Sequence, residues 1–164
     1  MGRESRPIPL GERLALVERH YGDDAALPWM LAAGALVQCY RELTALTQPV
    51  LASVGLTAPR ADVLQHLAGT TDGTATIAEL KASTFTPAPT MTYNLDWLEQ
   101  QGLVDRNPSS DDRRSLVIHI TDAGRAKWHA AAAALATIKY GFAAIDAADA
   151  LAIAHTLAST VATP

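Results

Sequence analysis

Apolar positions recur along most of this chain with the three-and-four spacing of a helix, and in one short stretch they alternate as in a strand. Leu10, Leu14, Val17 and Tyr21 share one stripe, which Gly22-Asp23-Asp24 stops. From Ala25 to about Ser53, Leu31, Leu36, Cys39, Tyr40, Leu43, Leu46, Val50 and Leu51 cover a wide arc, the pattern of a helix buried between other elements. Asp24 is placed to cap that helix and Pro49 to kink it. After Gly55, Thr57 and Pro59 open a helix carrying Val63, Leu64 and Leu67. A polar loop over 70–75 leads to Thr76-x-x-Glu79, a capping box for one to two helical turns holding Ile77 and Leu80.

The stretch 86–121 is the centre of the chain: it reads as a helix, a turn and a two-stranded hairpin. Thr86 suits an N-cap, and Pro87 and Pro89 suit a first turn, where a missing N–H does no harm. Met91, Leu95 and Leu98 form the inward stripe, and Gly102 ends the helix in the position that favours positive φ. Leu103 and Val104 begin a strand, and Pro108-Ser109-Ser110-Asp111 is turn chemistry. On the return strand Leu116, Ile118 and Ile120 are expected to face inward, with Ser115, Val117 and His119 outward. Thr121 caps an alanine-rich helix running to about Tyr140 with Trp128, Leu135 and Ile138. Gly141 breaks it, and Asp146 caps a last helix with Leu151, Ile153, Ala154 and Leu157.

Composition narrows the function more than the fold. The net charge is −4, so bulk charge does not announce a nucleic-acid binder. Residues 57–125 hold six Lys or Arg against nine acids, but three of those six cations (Arg106, Arg113, Arg114) belong to the predicted hairpin. A single cysteine excludes an intrachain disulfide framework and fits a reducing compartment. With no apolar run of membrane length, a soluble, cytoplasmic protein is expected. The five histidines show no metal-ligand spacing, and there is neither a phosphate loop nor a nucleophile elbow, so no cofactor, metal or enzymatic role is expected.

The helix–hairpin stretch resembles the MarR family of bacterial transcriptional regulators. The residues that carry the likeness are Leu98, Gly102, Leu103, Val104 and Arg106, then Asp112-x-Arg114-x-x-x-Ile118-x-Ile120-Thr121 and Gly124. The resemblance implies a mainly α fold with a small β-hairpin wing: a winged helix-turn-helix over 57–121, with N- and C-terminal dimerisation helices at 25–56 and 122–164. Residues 1–24 form an arm and a short helix outside it. The 83–89 connection, with two prolines, is stiffer than the family's linker.

What the resemblance implies about function is a homodimeric, ligand-responsive repressor of a pseudo-palindromic operator in double-stranded DNA. Thr86, Thr90, Tyr93 and Asn94 would face the major groove. Asn can bond adenine and Thr methyls can pack on thymine, while Tyr93 has packing against the preceding helix as its equal alternative. Arg106 would reach a phosphate and Arg113 the minor groove, while Asp112 and Arg114 brace the wing. The recognition helix itself has no Lys or Arg, and Asp96 and Glu99 add repulsion. A phenolic or aromatic effector would sit between the helices starting at Ala25, Thr57 and Asp122, lined by Trp29, Arg60 and His66. Cys39 reads as a small apolar packer. The rival function is a winged-helix protein–protein interaction module that has lost DNA binding, as the acidic balance suggests.

Overall fold

The computed structural model describes residues 10–22, 25–84, 86–108 and 116–160. In chain order the elements are α1 (Leu10–Tyr21), α2 (Leu27–Ser53), α3 (Ala58–Gly69), β1 (Thr74–Thr76), α4 (Ile77–Thr84), α5 (Ala88–Gln100), β2 (Val104–Pro108), β3 (Leu116–Ile120), α6 (Asp122–Thr137), a 3₁₀ turn (Lys139–Gly141) and α7 (Ala147–Thr160). They fall into two compact units, residues 1–45 and residues 46–164. In the first, Arg13 donates to Gln38 at 2.7 Å, and Gln38 donates to Glu42 at 2.7 Å.

The second unit has the core. Leu51, Leu56, Val63, Leu64, Leu67, Leu80, Met91, Leu95, Leu98, Val104, Ile118, Ala131 and Leu135 are buried together. Most come from apolar stripes: Val63, Leu64 and Leu67 place α3 at the centre, against α4, α5 and α6. Two helix ends are set by glycine in the left-handed region. At Gly102 (φ +67°) the Leu103 N–H reaches back to the Leu98 carbonyl at 2.9 Å, and Gly55 (φ +72°) closes α2 through Leu56 and Leu51 in the same way. The capping box forms as expected: the Thr76 N–H donates to Glu79 Oε2 at 2.7 Å, and the Glu79 N–H to Thr76 Oγ1 at 3.2 Å. These bonds hold the Glu79 carboxylate below its ordinary pKa.

The sheet differs from the two-stranded reading. It has three strands in the order β1-β3-β2, both pairings antiparallel, with Ala75 opposite Ile118 and Arg106 opposite Ile118 on the other side. A three-residue strand of Thr-Ala-Thr shows no apolar alternation to reveal it, and only pairing with β3 defines it. Alternation on β3 holds for Ile118 and Ile120 but fails at Leu116, which is 40% exposed because the wing has there run past the core. The helix after Thr121 is also shorter than its pattern: it ends at Thr137, and Lys139 and Tyr140 turn to positive φ.

A further correction concerns α2. Its wide apolar arc predicts burial, yet Leu51 is the only residue of this helix that is buried. Trp29 is 78% exposed and Tyr40 72%, and Leu36, Val37 and Leu46 are also exposed. Cys39 is a half-buried free thiol.

Candidate nucleic-acid interface

Helix α5 presents its polar face because its apolar stripe is spent on the core. Met91, Leu95 and Leu98 are buried, and Ala88, Pro89, Thr90, Thr92 and Tyr93 are exposed. Two residues expected on the groove face are not there. Asn94 is 4% exposed: it stands three residues after Met91 and four before Leu98, so the helix turns it inward, and its Nδ2 has no hydrogen-bond partner. Thr86 is also buried and does not cap the helix. Pro87 takes the cap position with no side-chain bond to the helix, while Thr86 accepts from Thr84 Oγ1 at 3.0 Å and donates to the Thr84 carbonyl. Proline disfavours helical backbone in the residue before it, which holds Thr86 outside the first turn.

The wing is tied to α5 through charge. Arg106 on β2 places Nη2 at 2.5 Å from Asp96 Oδ1 and Nε at 3.4 Å from Glu99 Oε2. The two acids that would repel a phosphate backbone are thus partly neutralised, and the guanidinium expected to reach a phosphate is occupied by them. Behind the hairpin, Thr121 Oγ1 accepts from the Gly124 N–H at 3.0 Å and donates to the Gly102 carbonyl at 2.7 Å. A Cβ at Gly124 would lie 2.1 Å from the Leu103 carbonyl oxygen, so glycine is required where α6 crosses the start of the wing.

Residues 54–115 match the model of the MarR family. The match falls on the winged helix-turn-helix segment of the chain. Three solved structures of similar fold extend the likeness beyond that segment. Sco5413, a MarR family transcriptional regulator from Streptomyces coelicolor, is 25% identical, covers 80% of this chain and 91% of its own, and superposes with a TM-score of 0.70. The transcriptional regulator BldR from Sulfolobus solfataricus is 19% identical over 84% of this chain and 99% of its own, with a TM-score of 0.73. BpsR from Bordetella bronchiseptica, whose DNA binding is regulated by 6-hydroxynicotinic acid, is 21% identical over 80% of this chain and 94% of its own, with a TM-score of 0.69. No curated protein matches the chain significantly.

Of the wing residues that the MarR resemblance singled out, Asp112, Arg113 and Arg114 lie outside the described residues, as does the expected cap Asp24. Of the residues assigned to an effector crevice, two lie in the second unit. Arg60 and His66 both stand on α3, but they point to different neighbours. His66 lines an open hollow of about 550 Å³ with Thr70, Thr74, Ala75, Glu79, Ala82 and Ser83. The Arg60 guanidinium instead lies 3.9 Å from the centre of the Trp97 ring and 5.8 Å from that of Tyr93. Trp29 belongs to the N-terminal unit. Both the Arg60–Trp97 stack and the Arg106 pairing escape sequence reasoning, because each joins residues from elements whose crossing is not written in any local period. Asp96 and Glu99, three apart on one helix face, were the available signal for the second.

Proposed function

We propose that this chain is a DNA-binding regulator that acts as a two-fold dimer, with α5 in the major groove and the wing in an adjacent minor groove. The observation that carries the reading is the outer face of α5, where Thr90, Thr92 and Tyr93 stand free of the core while Arg106 neutralises the acids beside them. Neutral hydroxyl, methyl and phenol groups can read base edges, and cations near the wing supply attraction. The match of residues 54–115 to the MarR family model supports it. Repression relieved by an aromatic or phenolic acid is the simplest regulatory scheme, by analogy with BpsR and its 6-hydroxynicotinic acid.

The test begins by selecting bound fragments from a random duplex pool and measuring affinity for the winner and for a scrambled sequence. Arg113→Ala is expected to weaken the selected duplex by roughly 1–3 kcal/mol and to relax preference at flanking A·T pairs, since narrow minor grooves attract arginine. Recovery of no duplex above background sinks the DNA reading. The interaction-module reading then takes its place, which the net charge of −4 and the absence of Lys and Arg from α5 favour.

A further inference from the structure

Helix α5 has no cation of its own, yet one lies against its outer flank. Arg60 comes from the first turn of α3, and its planar guanidinium stacks on Trp97 at 3.9 Å and reaches toward Tyr93 at 5.8 Å. Its Nε is buried with no hydrogen-bond partner, and no carboxylate among the described residues pairs with it. Arg106, whose Nε is likewise buried without a hydrogen bond, differs in having two acids beside it as counter-charges. A half-buried guanidinium without a counter-charge is costly unless an anion completes it, and the aromatic stack fixes its plane in advance. Tyr93, the outer of the two rings, is 65% exposed and belongs to the face of α5 assigned to the groove.

We propose that Arg60 is an oxyanion contact lent to the recognition helix by α3, and that its ligand is a phosphate of the DNA backbone. The proposal rests on the DNA-binding reading above. Trp97 lies against the guanidinium, and of its nitrogens only Nε is buried without a partner, so the Nη groups are the donors offered to phosphate oxygens. Phosphate contacts position a protein on the duplex and carry no sequence information. The loss of Arg60 must therefore be felt by every sequence alike.

The experiment measures binding of the selected and the scrambled duplex to wild type, Arg60→Gln, Arg60→Lys and Trp97→Leu across a salt series, with a thermal melt of each variant. Arg60→Gln, which keeps most of the side chain's bulk, is expected to weaken both duplexes by roughly tenfold and to flatten the salt slope by about one. Arg60→Lys should restore the slope, and Trp97→Leu should weaken both duplexes without changing it. Equal binding by wild type and Arg60→Gln overturns the proposal while leaving the DNA reading intact. Failure of wild type to bind any duplex overturns the DNA reading itself. A calorimetric arm with benzoate separates the other source of an oxyanion. Benzoate affinity lost in Arg60→Gln, with duplex binding unchanged, would make the site one for a free carboxylate and overturn the phosphate assignment.

Discussion

Asn94, Thr121, Gly124 and Glu79 each owe their role to one or two neighbours. Asn94 keeps an unpaired amide nitrogen in the core, and an unsatisfied buried polar group costs more than an apolar one of similar shape. Asn94→Leu is therefore expected to raise stability by roughly 1 kcal/mol and leave duplex selectivity unchanged. A fall in melting temperature together with altered base preference would return Asn94 to the groove. Gly124→Ala pushes a methyl against a backbone carbonyl that cannot swing aside, so it should cost about 3 kcal/mol, the upper end for overpacking. A chemical-denaturation series measures it. Glu79 adds a pH dependence. Its folded pKa is depressed by the Thr76 bonds, so the stability it contributes is present above the ordinary carboxylate pKa and lost as pH falls through the lowered value. Thr76→Val keeps the strand and removes the hydroxyl; the gap in melting temperature between it and wild type should narrow as the pH drops through that range.

Between elements, the pairing of α5 with the wing is the arrangement that a helix-by-helix reading missed. Arg106, Asp96 and Glu99 join a helix to a strand across a turn that Gly102 makes tight, so the angle of the wing to α5 is held at two points. Because Asp96 is about half exposed, the coupling in a double-mutant cycle of Arg106→Ala with Asp96→Ala should be only roughly 0.5–1 kcal/mol. Duplex affinity is expected to drop in Arg106→Ala, which uncovers two acids, and to recover in part when Asp96 is also removed. No recovery would mean that Arg106 touches DNA directly. The short β1 belongs to this scale too: it exists through its register with β3, Ala75 against Ile118, and has no signature of its own.

At the scale of the molecule, the exposed apolar faces call for a partner. Trp29, Leu36, Val37, Tyr40 and Leu46 on α2, and Leu151, Ile153 and Leu157 on α7, are exposed in the single chain. A large apolar area left in contact with water marks an association surface. Light scattering at micromolar concentration should give twice the chain mass, and Tyr40→Glu with Val37→Glu should shift it to one. A wild-type monomer would sink the dimer.

The sequence by itself determined what depends on spacing and local chemistry: the stripes of α3 and α5, the box at Thr76 and Glu79, the caps at Thr121 and Asp146, and the glycine stop at Gly102. Those features are decided within a few residues, where backbone sterics and helical period leave few alternatives. Only the tertiary structure decided that Arg60 lies against Trp97 while Arg106 pairs with Asp96 and Glu99. A polar side chain says that it needs a partner without saying which. For these residues the answer depends on how α3 and β2 cross α5, and those crossings are set by the packing of the whole core.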